Sequence, residues 1–323
     1  MRGVTPVMIV TGLQLVAGLT LLYFGAEWLV RGASALGLRL GLTPLVIGLT
    51  VVAFGTSAPE LAVSLEAGLA GRGAIALGNV IGSNIANIAL ILGIAALVRP
   101  LSVQAQVIRI EVPLMIGASL LLCALLWNGV LGRVEGAGLV LALVTYVVYS
   151  VRAARAETNA IVTAEYADLV PAAVRPLWHY ALLAVVGLAL LVTGANLLVD
   201  ASVEIARHFG LREALIGLTI IAVGTSLPEL ATSAVASRRG EGDIAVGNVL
   251  GSNLFNILCV LGLAAFVVPL AVGDVSWVDL GVMVGFALVA LPVLRSGFVI
   301  SRIEGALLLT GYAVYLGWLV ANA

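Results

Sequence analysis

Long apolar runs separated by short polar segments recur along the whole chain. A run of about 20 predominantly apolar residues crosses the hydrocarbon core of a bilayer as a helix, and the pattern predicts ten such spans. Because many connections are short, adjacent spans must run antiparallel. The predicted spans are 7–30, 44–70, 74–98, 107–128, 134–151, 177–200, 214–237, 243–268, 275–294 and 303–321.

The second half of the chain repeats the first at a constant offset of 169 residues, for example from Gly55 to Gly224. The segment GTSAPEL at 55–61 returns as GTSLPEL, and GNVIGSNIAN at 78–87 returns as GNVLGSNLFN. Each half holds five predicted spans, and an odd number means that the second half enters the membrane from the opposite side. Inverted repeats of this kind are typical of secondary transporters, which bind their substrates near the midplane between the repeats.

These patterns predict an all-α polytopic membrane protein of ten transmembrane helices, arranged as two inverted five-helix repeats. Residues 1–151 form the first repeat, 152–176 a cytoplasmic linker and 177–323 the second repeat. Arg residues are more frequent in the loops that follow odd-numbered spans, which by the positive-inside tendency puts both termini outside the cytoplasm. We therefore expect a multi-pass protein of the cell (inner) membrane.

The composition supports a membrane protein and excludes several other classes. The chain is 62% hydrophobic and 10% charged, with a mean hydropathy of +1.17, whereas soluble domains carry about 25% charged residues. The 16 basic residues, all Arg, are balanced by 17 acidic ones, so nothing indicates a nucleic-acid partner. Cys123 and Cys259 lie in apolar runs, and we expect buried free thiols.

Two glutamates, Glu60 and Glu229, lie near the middle of predicted spans two and seven. An ionisable side chain at that depth costs about 2.5–3.5 kcal/mol on insertion scales. Neither repeated motif contains Arg or Lys to compensate the charge. The sequence therefore predicts that a bound cation does so.

A proline precedes each glutamate and predicts a broken helix. Pro59 has no N–H, so the carbonyl of Gly55 loses its helical hydrogen bond, and Pro228 has the same effect on Gly224. Released carbonyls are tolerated at membrane depth only where they face protein, water or a ligand. We predict breaks in helices 2 and 7 beside the site.

Hydroxyl and amide side chains surround both glutamates. Thr56 and Glu60 are four residues apart and share a helix face, as do Ser83 and Asn87 in span three. All of these groups offer oxygen ligands. The first-half set is Thr56, Ser57, Glu60, Ser83, Asn84 and Asn87, and its repeat equivalents are Thr225, Ser226, Glu229, Ser252, Asn253 and Asn256.

Oxygen-only ligation with two carboxylates suits a hard cation. Ca2+ accepts six to eight oxygens in flexible geometry, whereas Mg2+ demands a tight octahedron, and the absence of His and Cys from the motifs argues against softer metals. Na+ has a similar size, so one pocket serves both ions in turn. Ca2+ and Na+ are thus expected as bound substrates, without a cofactor.

Two further pairs in these motifs are expected to be structural. The Gly78/Gly82 and Gly247/Gly251 spacings are expected to let span three pack against the broken span two, and the same in the second half. Asn79 and Asn248 are expected to cap or bridge helices and are left outside the primary site.

The paired motifs resemble the alpha repeats of the cation/calcium antiporter superfamily, specifically its prokaryotic sodium/calcium exchanger branch. The resemblance implies ten helices, outward termini, and sliding of the first and sixth helices over the rest. It also implies that Ca2+ and Na+ alternate in a cluster of four sites centred on Glu60 and Glu229. By matching position, it assigns the flanking Na+ sites to the backbone carbonyls of Thr56 and Thr225 with Ser57, Ser83, Ser226 and Ser252, and completes the cluster with Asn87 and Asn256.

Two departures from related branches bear on the coupling ion. Some members carry Asp where this chain has Asn256, and K+ co-transport uses that Asp in one branch, so K+ is disfavoured. The proton-coupled branch typically has an acidic residue followed by His where this chain reads GSN at 82–84. This favours Na+ and leaves a proton-coupled Ca2+ (divalent cation) antiporter as the alternative.

Two other functional classes were weighed. An ion channel could use the same acidic pocket, but inverted halves with broken helices favour alternating access. An intramembrane hydrolase using Ser57 or Ser226 would need a His or Lys base, which neither motif provides. We predict a secondary active antiporter, not an enzyme, that exchanges Ca2+ for Na+ at a midplane site. Its expected partners are these ions and the lipid bilayer, with no nucleic acid and no obligatory protein partner.

Overall fold

The computed structural model describes residues 6–156, 176–208, 222–273 and 275–322, which are mostly helical. The first half contains α1 (Pro6–Arg39), α2 (Pro44–Thr56), α3 (Ala58–Leu69), α4 (Gly73–Val98), α5 (Val107–Asn128) and α6 (Arg133–Ala156). The second half contains α7 (Leu177–His208), α8 (Ala222–Thr225), α9 (Leu227–Arg239), α10 (Gly242–Val267), α11 (Trp277–Arg295) and α12 (Arg302–Asn322).

Many of these helices are long and apolar enough to cross a membrane. Among the described residues there are eight, and the bent pair α2–α3 makes a ninth span. Residues 214–221 of the predicted seventh span and 157–175 of the predicted linker lie outside the described residues. The predicted polytopic helical fold is therefore confirmed, and the count of ten helices stays a prediction.

The predicted helix breaks occur at Ser57 and Ser226. Helices α2 and α3 meet at Ser57 with a bend of 44°, and Ser226 separates α8 from α9. The two serines have nearly the same backbone angles, φ −82° and ψ 6° for Ser57 and φ −89° and ψ 7° for Ser226. Pro59 and Pro228 lie in the first turn of the helix that follows, where a missing N–H costs nothing.

Two short strand pairs join the halves. Antiparallel pairing connects β1 (Leu101–Ser102) with β4 (Val299–Ile300), and β2 (Val130–Leu131) with β3 (Leu270–Ala271). Adding 169 to the residue numbers of β1 gives β3, and adding it to those of β2 gives β4. The β1·β4 and β2·β3 pairs are therefore equivalent to each other under the repeat. Segments of two residues are too short for an alternating apolar pattern, and the sequence analysis did not predict them.

The centre of the molecule is formed by α4 and α10. In their most apolar 18-residue windows 78% and 89% of the residues are buried, against 33% and 22% for α1 and α7. Helices α1 and α7 are therefore peripheral, and they contact each other through glycines spaced seven residues apart. A Cβ at Gly18 would lie 2.9 Å from the Gly194 carbonyl oxygen, and one at Gly25 2.8 Å from that of Gly187. The reversed order of these contacts shows that α1 and α7 run antiparallel.

The glycine pair in α10 has the expected packing role but a different partner. A Cβ at Gly247 would lie 2.6 Å from the Leu45 carbonyl oxygen, and one at Gly251 2.7 Å from that of Leu49. Span eight therefore packs closely against α2 of the other half, whereas the sequence analysis expected the neighbouring broken helix of its own half. The equivalent partner of Gly78 and Gly82 would be residues 214–221, outside the described residues.

The two cysteines are free, as expected, with Cys259 buried and Cys123 half-buried.

Candidate functional site

The two helix breaks bring the predicted glutamates together with serines of the opposite half. Ser57 donates a hydrogen bond to Glu229 Oε1 at 3.2 Å, and Ser226 donates one to Glu60 Oε1 at 3.3 Å. Each glutamate lies in the first turn of its helix, directly after the break. Both side chains are completely buried. The two repeats therefore build one site, to which each supplies a carboxylate and a hydroxyl.

The second oxygen of each carboxylate is not satisfied by the protein. Glu60 Oε2 and Glu229 Oε2 are buried without a hydrogen-bond partner among the described residues. Neither carboxylate forms an ion pair with a described Arg; the described ion pairs involve Arg239 with Glu27 and Glu241. Because a buried charge without a partner is strongly unfavourable, a cation bound to these oxygens would stabilise the ionised carboxylates.

Polar side chains of α4 and α10 extend the site. Ser83 Oγ lies 3.2 Å from Ser226 Oγ, within hydrogen-bond distance, and Ser83, Asn87, Ser252 and Asn256 are all buried. Within the described part of the chain, several of their polar atoms have no partner, namely both amide atoms of Asn87, Asn256 Oδ1 and Ser252 Oγ. Except for Asn87 Nδ2 these atoms are oxygens, and together with the glutamate oxygens they form a set of buried oxygens available to a ligand.

Asn87 and Asn256 each begin a π-helical stretch, Asn87–Ile91 in α4 and Asn256–Leu261 in α10. Such stretches are rare and frequently occur at functional sites. Asn84 instead ties the two helices together, because it donates to the Asn253 carbonyl oxygen at 3.3 Å and accepts from Asn256 Nδ2 at 3.1 Å. Seven of the predicted residues are thus linked by hydrogen bonds, either directly or through an asparagine: Thr56, Ser57, Glu60, Ser83, Thr225, Ser226 and Glu229. The other three, Asn87, Ser252 and Asn256, lie on the two central helices α4 and α10.

Asn79 and Asn248 belong to this network, although the sequence analysis left them outside the site. The threonine of the opposite half donates to each: Thr56 to Asn248 Oδ1 at 3.2 Å, and Thr225 to Asn79 Oδ1 at 3.4 Å. The expected bridging role is therefore correct. One signal in the sequence indicated that Asn79 belongs to the site, because residues 79, 83 and 87 are four apart and share one helix face.

The two sides of the site differ in their exposure. Thr56 and Asn248 are completely buried, whereas Thr225 and Asn79 are half-buried. Asn248 lies in the first part of α10, which begins beside β1, and Asn79 lies in the first part of α4, which begins beside β3. Helix α2 packs against α10 beside Asn248, whereas the equivalent residues 214–221 lie outside the described residues.

Comparison with known proteins identifies the family. Residues 11–152 and 179–321 match the family described as sodium/calcium exchanger protein. The chain is 42% identical to the putative antiporter CaxA of Alkalimonas amylolytica, over 95% of this chain and 98% of that protein. It is 33% identical to the sodium/calcium exchanger MaX1 of Methanosarcina acetivorans, over 94% of this chain and 97% of that protein.

The fold also matches a solved structure of the sodium-calcium exchanger NCX_Mj. The TM-score is 0.81 and the sequence identity 29%, with 96% of this chain and 98% of that chain covered. The resemblance inferred from the two motifs is confirmed, and so is the prediction of a transporter in place of an enzyme. This chain is a cation/calcium antiporter of the membrane and belongs to the sodium/calcium exchanger protein family.

Proposed function

We propose that the protein is a secondary active antiporter that exchanges Ca2+ for Na+ by alternating access. Both ions bind at one midplane site between the repeats, as substrates and not as resident cofactors. The observation that carries this proposal is the set of buried oxygens without protein partners around Glu60 and Glu229. The proposed ligands are Glu60, Glu229, Thr56, Thr225, Ser57, Ser226, Ser83, Ser252, Asn87 and Asn256.

The chemistry of this set favours Ca2+ and Na+. Two carboxylates neutralise one Ca2+, and the surrounding hydroxyl, amide and carbonyl oxygens supply the six to eight ligands that Ca2+ accepts. Na+ takes the same kind of oxygen ligands. The matched relatives MaX1 and NCX_Mj are named sodium/calcium exchangers, which supports Na+ as the counter-ion over H+.

The strand pairs support the inverted arrangement of residues 1–151 and 177–323 around the 152–176 linker. Helix α4 leads into β1, and α5 connects β1 to β2 across its full length, so the two strands lie at opposite ends of α5. Helix α10 leads into β3, which pairs with β2. The equivalent helices α4 and α10 therefore point in opposite directions, as expected for two inverted repeats of five helices each. We propose that the protein lies in the cell (inner) membrane as a multi-pass protein with external termini.

The two helix breaks support alternating access, because each half supplies one broken helix to the same site, at Ser57 and at Ser226. Exchange of the conformations of the two repeats would open the site to the other side of the membrane. In the proposed transition the peripheral pair α1–α7 moves relative to the buried centre, since only 33% and 22% of the residues in its most apolar windows are buried, against 78% and 89% for α4 and α10.

Radioactive Ca2+ uptake into proteoliposomes tests the proposal. Vesicles loaded with Na+ are compared with vesicles loaded with K+ or choline, and a proton gradient is imposed in a separate arm. Uptake only when Na+ can leave is the expected result. Uptake driven by the proton gradient alone would establish the proton-coupled alternative, and the absence of Ca2+ movement in every arm would contradict the proposed cargo.

A further inference from the structure

Asn248 joins the two halves of the candidate site through three hydrogen bonds. Its Nδ2 donates to the Glu229 carbonyl oxygen at 3.4 Å and to Ser233 Oγ at 2.9 Å. Both amide hydrogens are thereby engaged, which fixes the orientation of the side chain. Its Oδ1 must then face Thr56 of the other half, whose hydroxyl donates to it at 3.2 Å.

Asn79 repeats this arrangement on the other side of the site. Its Nδ2 donates to the Glu60 carbonyl oxygen at 3.3 Å and to Ser64 Oγ at 3.0 Å, and its Oδ1 accepts from Thr225 at 3.4 Å. Neither asparagine is an isolated bridge, because each contacts the glutamate of its own half and the threonine of the other.

Each threonine hydroxyl has several acceptors nearby but only one hydrogen to donate. The Glu60 carboxylate lies near Thr225 and the Glu229 carboxylate near Thr56. A cation bound to a carboxylate repels the hydroxyl hydrogen, which must then be donated elsewhere. For Thr56 the fixed Asn248 oxygen at 3.2 Å is a closer acceptor than the Ala53 carbonyl oxygen at 3.4 Å.

We propose that Asn79 and Asn248 are positioning residues of the ion site, each of which takes the hydrogen of the opposite threonine hydroxyl when a cation occupies the carboxylate. This inference rests on the proposed function. Without Asn248, the Thr56 hydroxyl keeps only the more distant Ala53 carbonyl oxygen as a described acceptor away from the cation. Loss of a buried hydrogen bond costs about 1–3 kcal/mol.

The test measures the Ca2+ concentration for half-maximal uptake in Asn248→Ala, Thr56→Val and the double variant. Each single change is expected to raise this concentration roughly tenfold, the equivalent of about 1.4 kcal/mol. In the double variant the concentration should be no higher than in either single variant. Thr56→Ser keeps the hydroxyl and should restore uptake. Thr50→Val is the matched control, since the Thr50 hydroxyl bonds only to the Val46 carbonyl oxygen of its own helix.

A second readout separates positioning from a purely structural role. Without ions, Asn248→Ala should melt below Thr50→Val, because it loses three buried hydrogen bonds against one, and in addition its Ca2+-induced rise in melting temperature should shrink while that of Thr50→Val is kept. Additive effects of the two single changes, or wild-type affinity in Thr56→Val, would overturn the inference. Undiminished Ca2+ exchange by Glu60→Gln would instead overturn the proposed site, so the two failures are distinguishable.

An independent observation concerns the β1·β4 side, where α1 contacts the end of α9. Arg239 forms an ion pair with Glu27 of α1 and a second one with Glu241 at 3.0 Å. Arg238 lies over the Tyr23 ring, 5.2 Å from its centroid, and donates a hydrogen bond to its hydroxyl. We name the Glu27–Arg239 and Tyr23–Arg238 contacts the α1–α9 latch.

The latch has no equivalent on the β2·β3 side. The repeat offset replaces its two charged pairs by neutral residues that cannot form an ion pair or a cation–π contact. The equivalents of Tyr23, Glu27, Arg238 and Arg239 are Val192, Asn196, Leu69 and Ala70.

We infer that the α1–α9 latch biases the transporter toward the state in which α1 and α9 are in contact, over the state in which the two repeats have exchanged conformations. The inference rests on the proposed alternating access. If two inverted repeats were identical, exchanging their conformations would give two states of equal free energy. A contact that exists in only one of these states shifts the population toward it.

The latch is tested with Glu27→Gln, Arg239→Gln and the double variant in membrane vesicles of both orientations. Since the paired side chains are 22% and 26% exposed, the contact should change the population ratio by about two- to fivefold. Removing it should change the ratio of the half-maximal Ca2+ concentrations measured from the two sides of the membrane by that factor, with the double variant equal to the singles. Glu66→Gln on the exposed face of α3 is the control.

The converse variant installs a latch at the equivalent positions. Asn196→Glu with Ala70→Arg changes two exposed residues and should shift the half-maximal concentrations in the opposite direction. Unchanged values from both sides in the Glu27 and Arg239 variants would overturn the inference. If the wild-type protein did not exchange Ca2+ at all, the proposed function itself would be wrong.

Discussion

At the scale of single residues, the distinctive feature of the site is that some of its buried polar atoms have no hydrogen-bond partner among the described residues. Ser57 and Ser226 satisfy one oxygen of each glutamate, but the other oxygen stays without a partner among the described residues. A core built only for stability would pair or replace such groups, because unpaired buried charges cost more than apolar side chains of the same size. These unpaired oxygens are the reason why we propose that the glutamates bind a cation.

Removing either charge should remove the cation. We expect Glu60→Gln and Glu229→Gln to lower the rate of Ca2+ uptake at least about 100-fold, since each change deletes a charged ligand worth several kcal/mol in a buried site. The measurement is uptake into Na+-loaded proteoliposomes. Glu66→Gln, an exposed glutamate of α3, should retain wild-type uptake. A near wild-type rate in either buried variant would disprove the ligand assignment.

At the scale of elements, the breaks at Ser57 and Ser226 place the hydroxyls and glutamates at the centre of the bundle. In each half a proline in the first turn after the break lacks the N–H that would continue the helix. Helix α2 is then held by the close approach of Gly247 and Gly251 of α10. The break in the helix and its close packing against these two glycines together fix the position of Thr56 and Ser57.

Restoring the missing N–H should weaken ion binding. We expect Pro59→Ala to let α2 and α3 approach one continuous helix and to raise the half-maximal Ca2+ concentration roughly tenfold, the equivalent of about 1.4 kcal/mol. Pro292→Ala is the control, because Pro292 lies inside α11 and outside the breaks. Equal Ca2+ affinity in the two variants would show that the proline is not needed for the geometry of the site.

At the scale of the whole molecule, the helices differ in how firmly they are held. Helices α4 and α10 form the buried centre, and α1 and α7 lie at the periphery, joined to each other by close glycine contacts. Interdigitated backbones resist separation, so α1 and α7 are expected to move as one unit. Their contact with α9 through the latch is smaller and polar, and it is expected to change during transport.

Cross-linking distinguishes these two contacts. In a background without the native Cys123 and Cys259, a short bifunctional maleimide should link Arg39→Cys to Tyr180→Cys, where Arg39 lies 5.4 Å from the Tyr180 ring centroid. That link between α1 and α7 should leave Ca2+ uptake active. A link between Tyr23→Cys and Arg238→Cys should stop it, because α1 is then tied to α9. Inhibition by both links, or by neither, would contradict independent movement of the α1–α7 pair.

The sequence by itself determined the features that depend on local pattern. Apolar runs long enough to span a bilayer set the helices, and the 169-residue repeat identified Glu60 and Glu229 as a symmetric pair. Pro59 predicted the break in helix 2 because a missing N–H acts on its own turn. The family followed from the two motifs for the same reason, since their residues are contiguous in the chain.

Only the tertiary structure decided which groups meet. Ser57 contacts Glu229, 172 residues away, and Thr56 contacts Asn248, 192 residues away. Local periodicity carries no information about such pairs, so the role of Asn248, the strand pairs and the partner of Gly247 were missed or assigned differently. The one-sided latch depends in the same way on how α1 packs against α9, because an ion pair forms only where the fold brings two charges within reach.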